Sequence, residues 1–254
     1  MAENAATVAD IAKLFNKIKC IISDVEGTTT SLAFVRNTLK SYFLDNLHEH
    51  LTKNWDDSEL QDILLKTKFE TDSSDSISNI EDACSFIIRL SDTEPITYSF
   101  RQLQARIWSE GYSSGELKGH LFPDVVPAFK RWSQDGKRIF LYSSGLELSQ
   151  KLLFTNSIAG NVLEIISGCF DTTVGSKYEP NSYDMILKKL ECQPGEVIFF
   201  SDSIKEVKAA SKAGVIAVIM DREGNLPLDQ SAKDMFPVVS SFEAMIEHGF
   251  YFEY

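Results

Sequence analysis

The sequence predicts an α/β fold, a parallel-sheet core into which a helical cap is inserted. Three observations point there. A short apolar run near the start ends in acidic residues, residues 34–118 carry amphipathic helical patterns with little strand signal, and helices alternate with apolar strands from about Pro123 onward. Alternation of this kind builds βαβ units with right-handed crossovers, and such units make a parallel sheet.

Taken in order, Val8, Ile11, Leu14, Phe15 and Ile18 recur at helical spacing and predict a short amphipathic helix docked on the core. The run IKCIISDVEGTT (18–29) then reads as a buried strand, β-branched and bounded by a glycine, that delivers Asp24 at its C-terminal end. In open α/β sheets those ends face the crevice where ligands bind. Strand alternation puts Glu26 on the same side as Asp24.

The helical block contains SELQDILLKTKFE, IEDACSFIIRL and FRQLQARIWSEGY, with the polar stretch TDSSDSIS (71–78) as a loop between the first two. Serine and aspartate favour loops because their side chains compete for backbone hydrogen bonds. Helix VVPAFKRWSQDG leads into strand KRIFLYSSG, and helix LELSQKLLFTN follows. Helix NSYDMILKKL leads into strand GEVIFFSD, then helix KEVKAASKAG into strand VIAVIM, and the aromatic tail HGFYFEY is expected to pack back on the body. The expected layout is a Rossmann-like core made of residues 1–33 and 119–254, with residues 34–118 forming a cap over the strand ends.

At 254 residues the chain is long enough to bury a substantial core. Hydrophobic content of 43% and charged content of 24% are those of a soluble globular protein. A formal net charge of -12 argues against nonspecific nucleic-acid binding and against adhesion to anionic membranes. No apolar run approaches the ~20 residues that span a bilayer, and the acidic start lacks a signal-peptide pattern. Cys20, Cys84, Cys169 and Cys192 show no C-x-x-C pair and no metal-ligand spacing, so reduced and mostly buried thiols are expected. The compartment these features imply is the cytoplasm, and the nucleus is expected as an additional location.

Three apolar strands end in polar groups: Asp24 and Glu26 after the first, Ser143 and Ser144 after IFLYSSG, and Asp202 after VIFFSD, with Lys177 in the segment GSKYEPNSY. Phosphoryl transfer needs a nucleophile, an acid/base, charge neutralisation and anchors for the equatorial oxygens. Asp24 fits the nucleophile, since carboxylates form aspartyl-phosphates, and Glu26 fits the group that protonates the leaving oxygen and later activates water. Asp24 and Asp202 offer the oxygen ligands that Mg²⁺ takes. Ser143 offers a hydroxyl for a phosphate oxygen, Gly145 is expected to open an anion-favouring helix, and Lys177 supplies a compact cation. In the cap segment, Trp108, Tyr112, Lys118 and His120 are candidates for contacting the substrate tail or closing the site, with packing the favoured duty of Trp108, and Arg106 is expected on a solvated helix face.

Each residue also has a plainer reading: the serines as caps of the next helix, Lys177 as a solvated surface residue, Asp202 as a helix N-cap. Phosphorylated receiver modules, which combine an aspartate, a Ser/Thr and a lysine on a parallel sheet, are the competing non-enzyme class. They are small single domains without a residue placed as Glu26 is.

The ordered motifs DVEGT (24–28), YSSG with Ser143 and Ser144, Lys177 with Pro180 and Tyr183, and Asp202 with Glu206 resemble those of the haloacid dehalogenase-like phosphohydrolases. Glutamate replaces the second aspartate of the first motif, Ser201 stands where glycine is frequent, and Glu206 replaces the usual aspartate. With GTTTSLAFV and IWSEGYSSGELKGHLFPDVVP, the chain is similar to the acireductone synthase branch from about Ile21 to Asn225. That resemblance implies a Mg²⁺-dependent monomer that enolises 2,3-diketo-5-methylthiopentyl-1-phosphate and then removes phosphate to give acireductone in methionine salvage. It further implies that Asp24, Glu26 and Asp202 occupy the metal-site positions, and Ser143, Ser144 and Lys177 the substrate-binding ones. The runner-up is a capped phosphatase for another small phosphometabolite.

Overall fold

The computed structural model describes residues 7–93 and 96–247. The described residues fall into two compact units, one running to Phe34 and resuming at Gly119, the other Val35–Lys118.

The first unit is built on six strands, β1 (Cys20–Ser23), β2 (Arg138–Tyr142), β3 (Gly168–Phe170), β4 (Val197–Ser201), β5 (Ile216–Met220) and β6 (Val238–Val239), ordered β3-β2-β1-β4-β5-β6. Every pairing is parallel. All C-terminal strand ends therefore share one edge. The earliest strand lies between β2 and β4, and it is apolar on both faces: Cys20, Ile21 and Ile22 are all fully buried. A strand of that kind needs a helical layer on each side.

Alternation along the strands sorts the two layers. Cys20 and Ile22 join Tyr142, Phe199 and Ile219 against α8 (Pro180–Leu190) and α9 (Ile204–Lys212). On the other face, Trp132 of α6 (Val125–Gln134) stacks on Phe200 at 5.9 Å, with Phe242 edge-on to the same tryptophan at 5.3 Å. Aromatic contacts of this geometry add about 0.5–1.5 kcal/mol each beyond area burial. Ahead of β1, α1 (Val8–Leu14) and a 3₁₀ turn (Phe15–Lys17) bury Ile11, Phe15 and Ile18.

The second unit holds α2 (Lys40–Asn54), α3 (Ser58–Glu70), α4 (Ile80–Leu90) and α5 (Tyr98–Ser114), preceded by a π-helical turn (Phe34–Leu39) that begins at the boundary residue. Phe43, Leu47, Leu64, Ile87, Phe100 and Leu103 form its core. Its helices start where polar side chains satisfy free N–H groups: Asp57 accepts from Glu59, Asn79 from Asp82 and Thr97 from Phe100. Gly115, at φ +82°, ends α5 in the left-handed conformation.

Three features escape a pattern reading. β3 and β6 are three and two residues long, too short to register as periodic runs. The helix after β2, α7, spans Glu147–Thr155, so Gly145 does not open it. α10 (Gln230–Met235) and α11 (Glu243–Glu247) are single short turns. The expected packing of the tail 248–254 lies outside the described residues. Among the described residues no helix is long and apolar enough to cross a membrane.

Candidate active site

Four of the residues singled out from sequence, or set beside them, meet at the C-terminal ends of β1 and β4. Asp24 directly follows β1, is 5% exposed, and donates its backbone N–H to the Phe200 carbonyl at 2.8 Å. Its Oδ1 pairs with the Lys177 ammonium. The same Nζ lies 2.7 Å from Glu206 Oε2, and Lys177 is 4% exposed. The solvated-lysine reading therefore fails. Thr28 Oγ1 stands 3.5 Å from Asp24 Oδ2 and accepts from the Asp202 backbone N–H at 3.2 Å, tying the ends of the two strands together.

Lys177 arrives on a loop, and its position is held by three hydroxyl groups gripping three successive carbonyls. Tyr142 donates to the Gly175 carbonyl (3.0 Å), Ser182 to that of Ser176 (2.7 Å), and Tyr183 to that of Lys177 (2.9 Å). Gly175, at φ +132°, passes so close to Ser182 that a Cβ would lie 2.3 Å from its hydroxyl. Glu206, on the first turn of α9, is oriented by Ser201 Oγ, which donates to its Oε2 at 2.7 Å. The serine that stands in a glycine place is thus a prop for Glu206, and Glu206 a prop for Lys177.

Charge in this cluster is unbalanced. Burial, with the like charges of Glu206 and Asp202, pushes the Asp24 carboxyl well above the usual range, and Lys177 opposes them. Burial works against the Lys177 ammonium, but Asp24 and Glu206 outweigh it and hold that group above its ordinary value. Asp202 is pushed up to about 6, first by burial and then by Glu206. Three carboxylates share one lysine. The donor set is all oxygen, which suits a hard divalent cation. No group of three His, Cys, Asp or Glu side chains among the described residues is gathered tightly enough to cage a metal alone. An ion that takes one or two carboxylates and completes its shell with carbonyl and water oxygens fits, and Mg²⁺ is such an ion.

Glu26 is exposed, while Val25 and residues 27–30 around it are buried. Strand alternation does not place it, because the strand ends at Ser23 and the chain folds into a tight loop. The loop is closed by the Gly27 N–H donating to the Thr30 carbonyl at 2.8 Å. Gly27 (φ +74°) is needed twice over: a Cβ there would sit 2.4 Å from Asp202 Oδ2.

Ser143 follows β2 and is 4% exposed; its Oγ accepts from the Gly145 N–H at 3.0 Å. Ser144 is partly buried. Neither caps the next helix. Leu146 occupies the N-cap place of α7, and the first helical N–H, that of Glu147, donates to Asp171 Oδ2 at 3.1 Å. The anion place foreseen at that helix start is thus taken by a carboxylate of the chain itself. Asp202 is not a helix cap either, since α9 is preceded by Ser203.

Sequence reasoning missed a second set of residues beneath the loop. Arg222, after β5, pairs with Asp124 through two bonds of 2.9 and 2.8 Å and donates from Nε to the Thr28 carbonyl at 3.1 Å. Its guanidinium lies 4.5 Å from the Phe122 ring and 5.1 Å from that of Phe242. Asn225 donates to the Gly27 carbonyl at 2.9 Å. Two adjacent carbonyls of the acidic loop are therefore fixed from outside it. Spacing along the chain holds no signal for this, since the partners lie 194 and 198 residues away.

Of the other candidates, His120 accepts from the Ser31 N–H at Nδ1 (3.2 Å), so Nε2 carries its hydrogen, and burial lowers its pKa. Trp108 donates to the Leu39 carbonyl at 2.9 Å and packs on the core of its own unit, and Tyr112 is buried. Lys118 is exposed. Arg106 is ion-paired with Asp57 and Glu59 instead of lying free on a helix face. Cys20, Cys84 and Cys192 are buried free thiols and Cys169 is partly buried.

Residues 18–214 match the profile of the haloacid dehalogenase-like hydrolases. An "Enolase-phosphatase E1" of Drosophila willistoni is 40% identical over 242 residues, covering 91% of this chain and 98% of that one. Its namesake in Danio rerio is 34% identical over 245 residues, covering 89% and 94%. The crystal structure of the UTR4 protein of Saccharomyces cerevisiae superposes with a TM-score of 0.75 at 30% identity, covering 89% of this chain and 99% of that one.

Proposed function

Since the chain belongs to the haloacid dehalogenase-like hydrolases and, within them, to the enolase-phosphatases, we propose that the Asp24–Lys177–Glu206 cluster, with Glu26 and Asp202, carries both halves of that reaction. The protein is a phosphoric monoester hydrolase of the acireductone synthase type. It enolises 2,3-diketo-5-methylthiopentyl-1-phosphate and cleaves the phosphate ester to give acireductone and inorganic phosphate, a step of methionine salvage.

In the first half, Glu26 takes a proton from the carbon that bears the phosphate. The neighbouring carbonyl acidifies that carbon; Glu26 passes the proton it has taken to that carbonyl's oxygen as the enol forms, and takes another from solvent water before the second half. Glu26 suits the role because it is the exposed residue of an otherwise buried loop. In the second half, Asp24 attacks phosphorus, the ester P–O bond breaks, and Glu26 protonates the departing oxygen. Glu26 then deprotonates a water that hydrolyses the aspartyl-phosphate, which returns Asp24 and releases phosphate. Lys177 neutralises the phosphoryl oxygens and orients Asp24, and Ser143 and Ser144 anchor the phosphate from the adjoining strand. The carboxylates of Asp24 and Asp202, with Glu26 beside them, would hold Mg²⁺. Bound Mg²⁺ supplies the positive charge that polarises substrate oxygens and offsets repulsion between Asp24 and the phosphate.

The observation that carries this reading is a buried aspartate held at a strand end by a buried lysine. The test separates the two halves: Asp24→Asn and Glu26→Gln are given the diketone phosphate with Mg²⁺, following enol absorbance and phosphate release. Asp24→Asn is expected to enolise without releasing phosphate, and Glu26→Gln to do neither. Undiminished release from the first, or normal enolisation by the second, would overturn the assignment.

A further inference from the structure

The loop that carries Ser143 and Ser144 is gripped at both ends by one amide. Gln150, on the first turn of α7 and 3% exposed, donates from Nε2 to the Phe170 carbonyl at 2.8 Å and to the Gly145 carbonyl at 3.2 Å. The Phe170 carbonyl, at the end of β3, also accepts the Ser143 N–H at 3.1 Å, so both of its lone pairs are taken. The two hydrogens of a single N–H₂ group thus fix the acceptor at which the loop begins and the residue at which it ends.

Packing alone does not account for a glutamine here. Its Oε1 is buried and no donor among the described residues reaches it. Turning the amide over would set that oxygen against two carbonyls, so the nitrogen end is fixed where it stands. A buried acceptor left without a donor is destabilising, and a methionine of similar length would carry no such oxygen. What the position gains from glutamine is the pair of N–H donors.

The grip reaches the serine hydroxyl through Gly145. Ser143 Oγ accepts from the Gly145 N–H at 3.0 Å, and its own hydrogen is donated to no group among the described residues. A hydroxyl oxygen that accepts on one side donates on another, so the direction of that free hydrogen depends on where Gly145 stands. Glycine has the widest backbone freedom of any residue, and here its carbonyl is held by Gln150.

We propose that Gln150 is a positioning residue for phosphate binding, its N–H₂ holding Gly145 so that the Ser143 hydroxyl is aimed at a phosphate oxygen. This rests on the assignment of Ser143 as a phosphate anchor.

The test uses the full chain with Mg²⁺ and inorganic phosphate as the probe, affinity being read by isothermal titration and folding by thermal melting. Ser143→Ala is expected to bind phosphate about tenfold or more weakly than the parent, the size of a hydrogen bond to a charged group. Gln150→Met, which keeps the length of the side chain and loses both donors, is expected to melt near the parent and to bind phosphate about three- to tenfold more weakly. Its KM for the diketone phosphate should rise with little change in kcat, as for lost binding that ground and transition states share. In the Ser143→Ala background the same substitution should cost nothing further, because there is no hydroxyl left to aim. Parent-like affinity in Gln150→Met, or an equal loss with and without Ser143, overturns the inference. Gln150→Leu, judged by the same two comparisons, takes its place if the methionine variant does not fold. If neither folds, the side chain serves the fold alone and the inference falls. Parent-like phosphate affinity in Ser143→Ala would instead overturn the anchor assignment itself.

Discussion

Asp124→Ala should destabilise the α/β unit by about 4 kcal/mol, through the loss of a buried ion pair. Asp124 is 7% exposed and accepts four bonds: two from Arg222, one from the Phe242 N–H at 2.7 Å and one from Ser241 Oγ at 3.2 Å. Arg222 is equally buried at 7%. Removing one partner of such a pair costs about 3–5 kcal/mol, because the other charge stays behind without a counterion. The Phe242 N–H also loses its acceptor, and the Thr28 and Ser240 carbonyls that Arg222 serves at 3.1 and 3.0 Å recover only part of the loss. For a chain of this size each kcal/mol moves the melting temperature by about 2–4 °C, so a fall of order 10 °C is expected. Urea denaturation of Asp124→Ala, Arg222→Ala and the double variant provides the measurement. The singles should sum to more than the double by about 1–3 kcal/mol, since the second deletion removes the charge that the first left unpaired. Additive singles, or an alanine variant within 1 kcal/mol of the parent, would refute the reasoning.

Two further outcomes follow from the same geometry. Gly27→Ala imposes a left-handed conformation worth about 1–2 kcal/mol on a residue with a side chain, and it pushes a methyl onto Asp202. Isothermal titration with Mg²⁺ should show affinity reduced about tenfold or more, since displacing a proposed ligand costs at least as much as losing a group that orients one, and unchanged affinity would contradict the placement of Asp202. His120 has a folded pKa below its ordinary 6.5 because burial disfavours the charged ring. A group so depressed contributes stability that is present above pH 6.5 and is lost as pH falls through the lower folded value. The melting temperature of the parent should therefore drop relative to His120→Gln as pH is taken from 7.5 to 5, and parallel curves would exclude it.

Asp24 and Asp202 were legible along the chain because each directly follows a parallel strand, and parallel strands bring such ends to one edge whatever their separation in sequence, whereas Lys177 was legible by residue type in its loop. Glu26 was legible by type but not by direction, since the strand ends one residue before Asp24 and a glycine at positive φ, not the two-residue repeat, directs the loop. The helix start after β2 was misplaced for a similar reason: Asp171, from the end of β3, caps it across space.

Four of the six strands in their order along the chain, the helical block expected at 34–118 and the polar residues at the strand ends are local properties, carried by periodicity and by residue type, and the sequence alone determined them. Which groups hold those side chains in place was decided only by the tertiary structure. Arg222 and Asn225 grip carbonyls of the Gly27–Thr28 peptide region, and Glu206 grips Lys177, through contacts between residues far apart in the chain. Main-chain carbonyls look alike at every position, so no pattern of residues announces which of them a distant side chain will find.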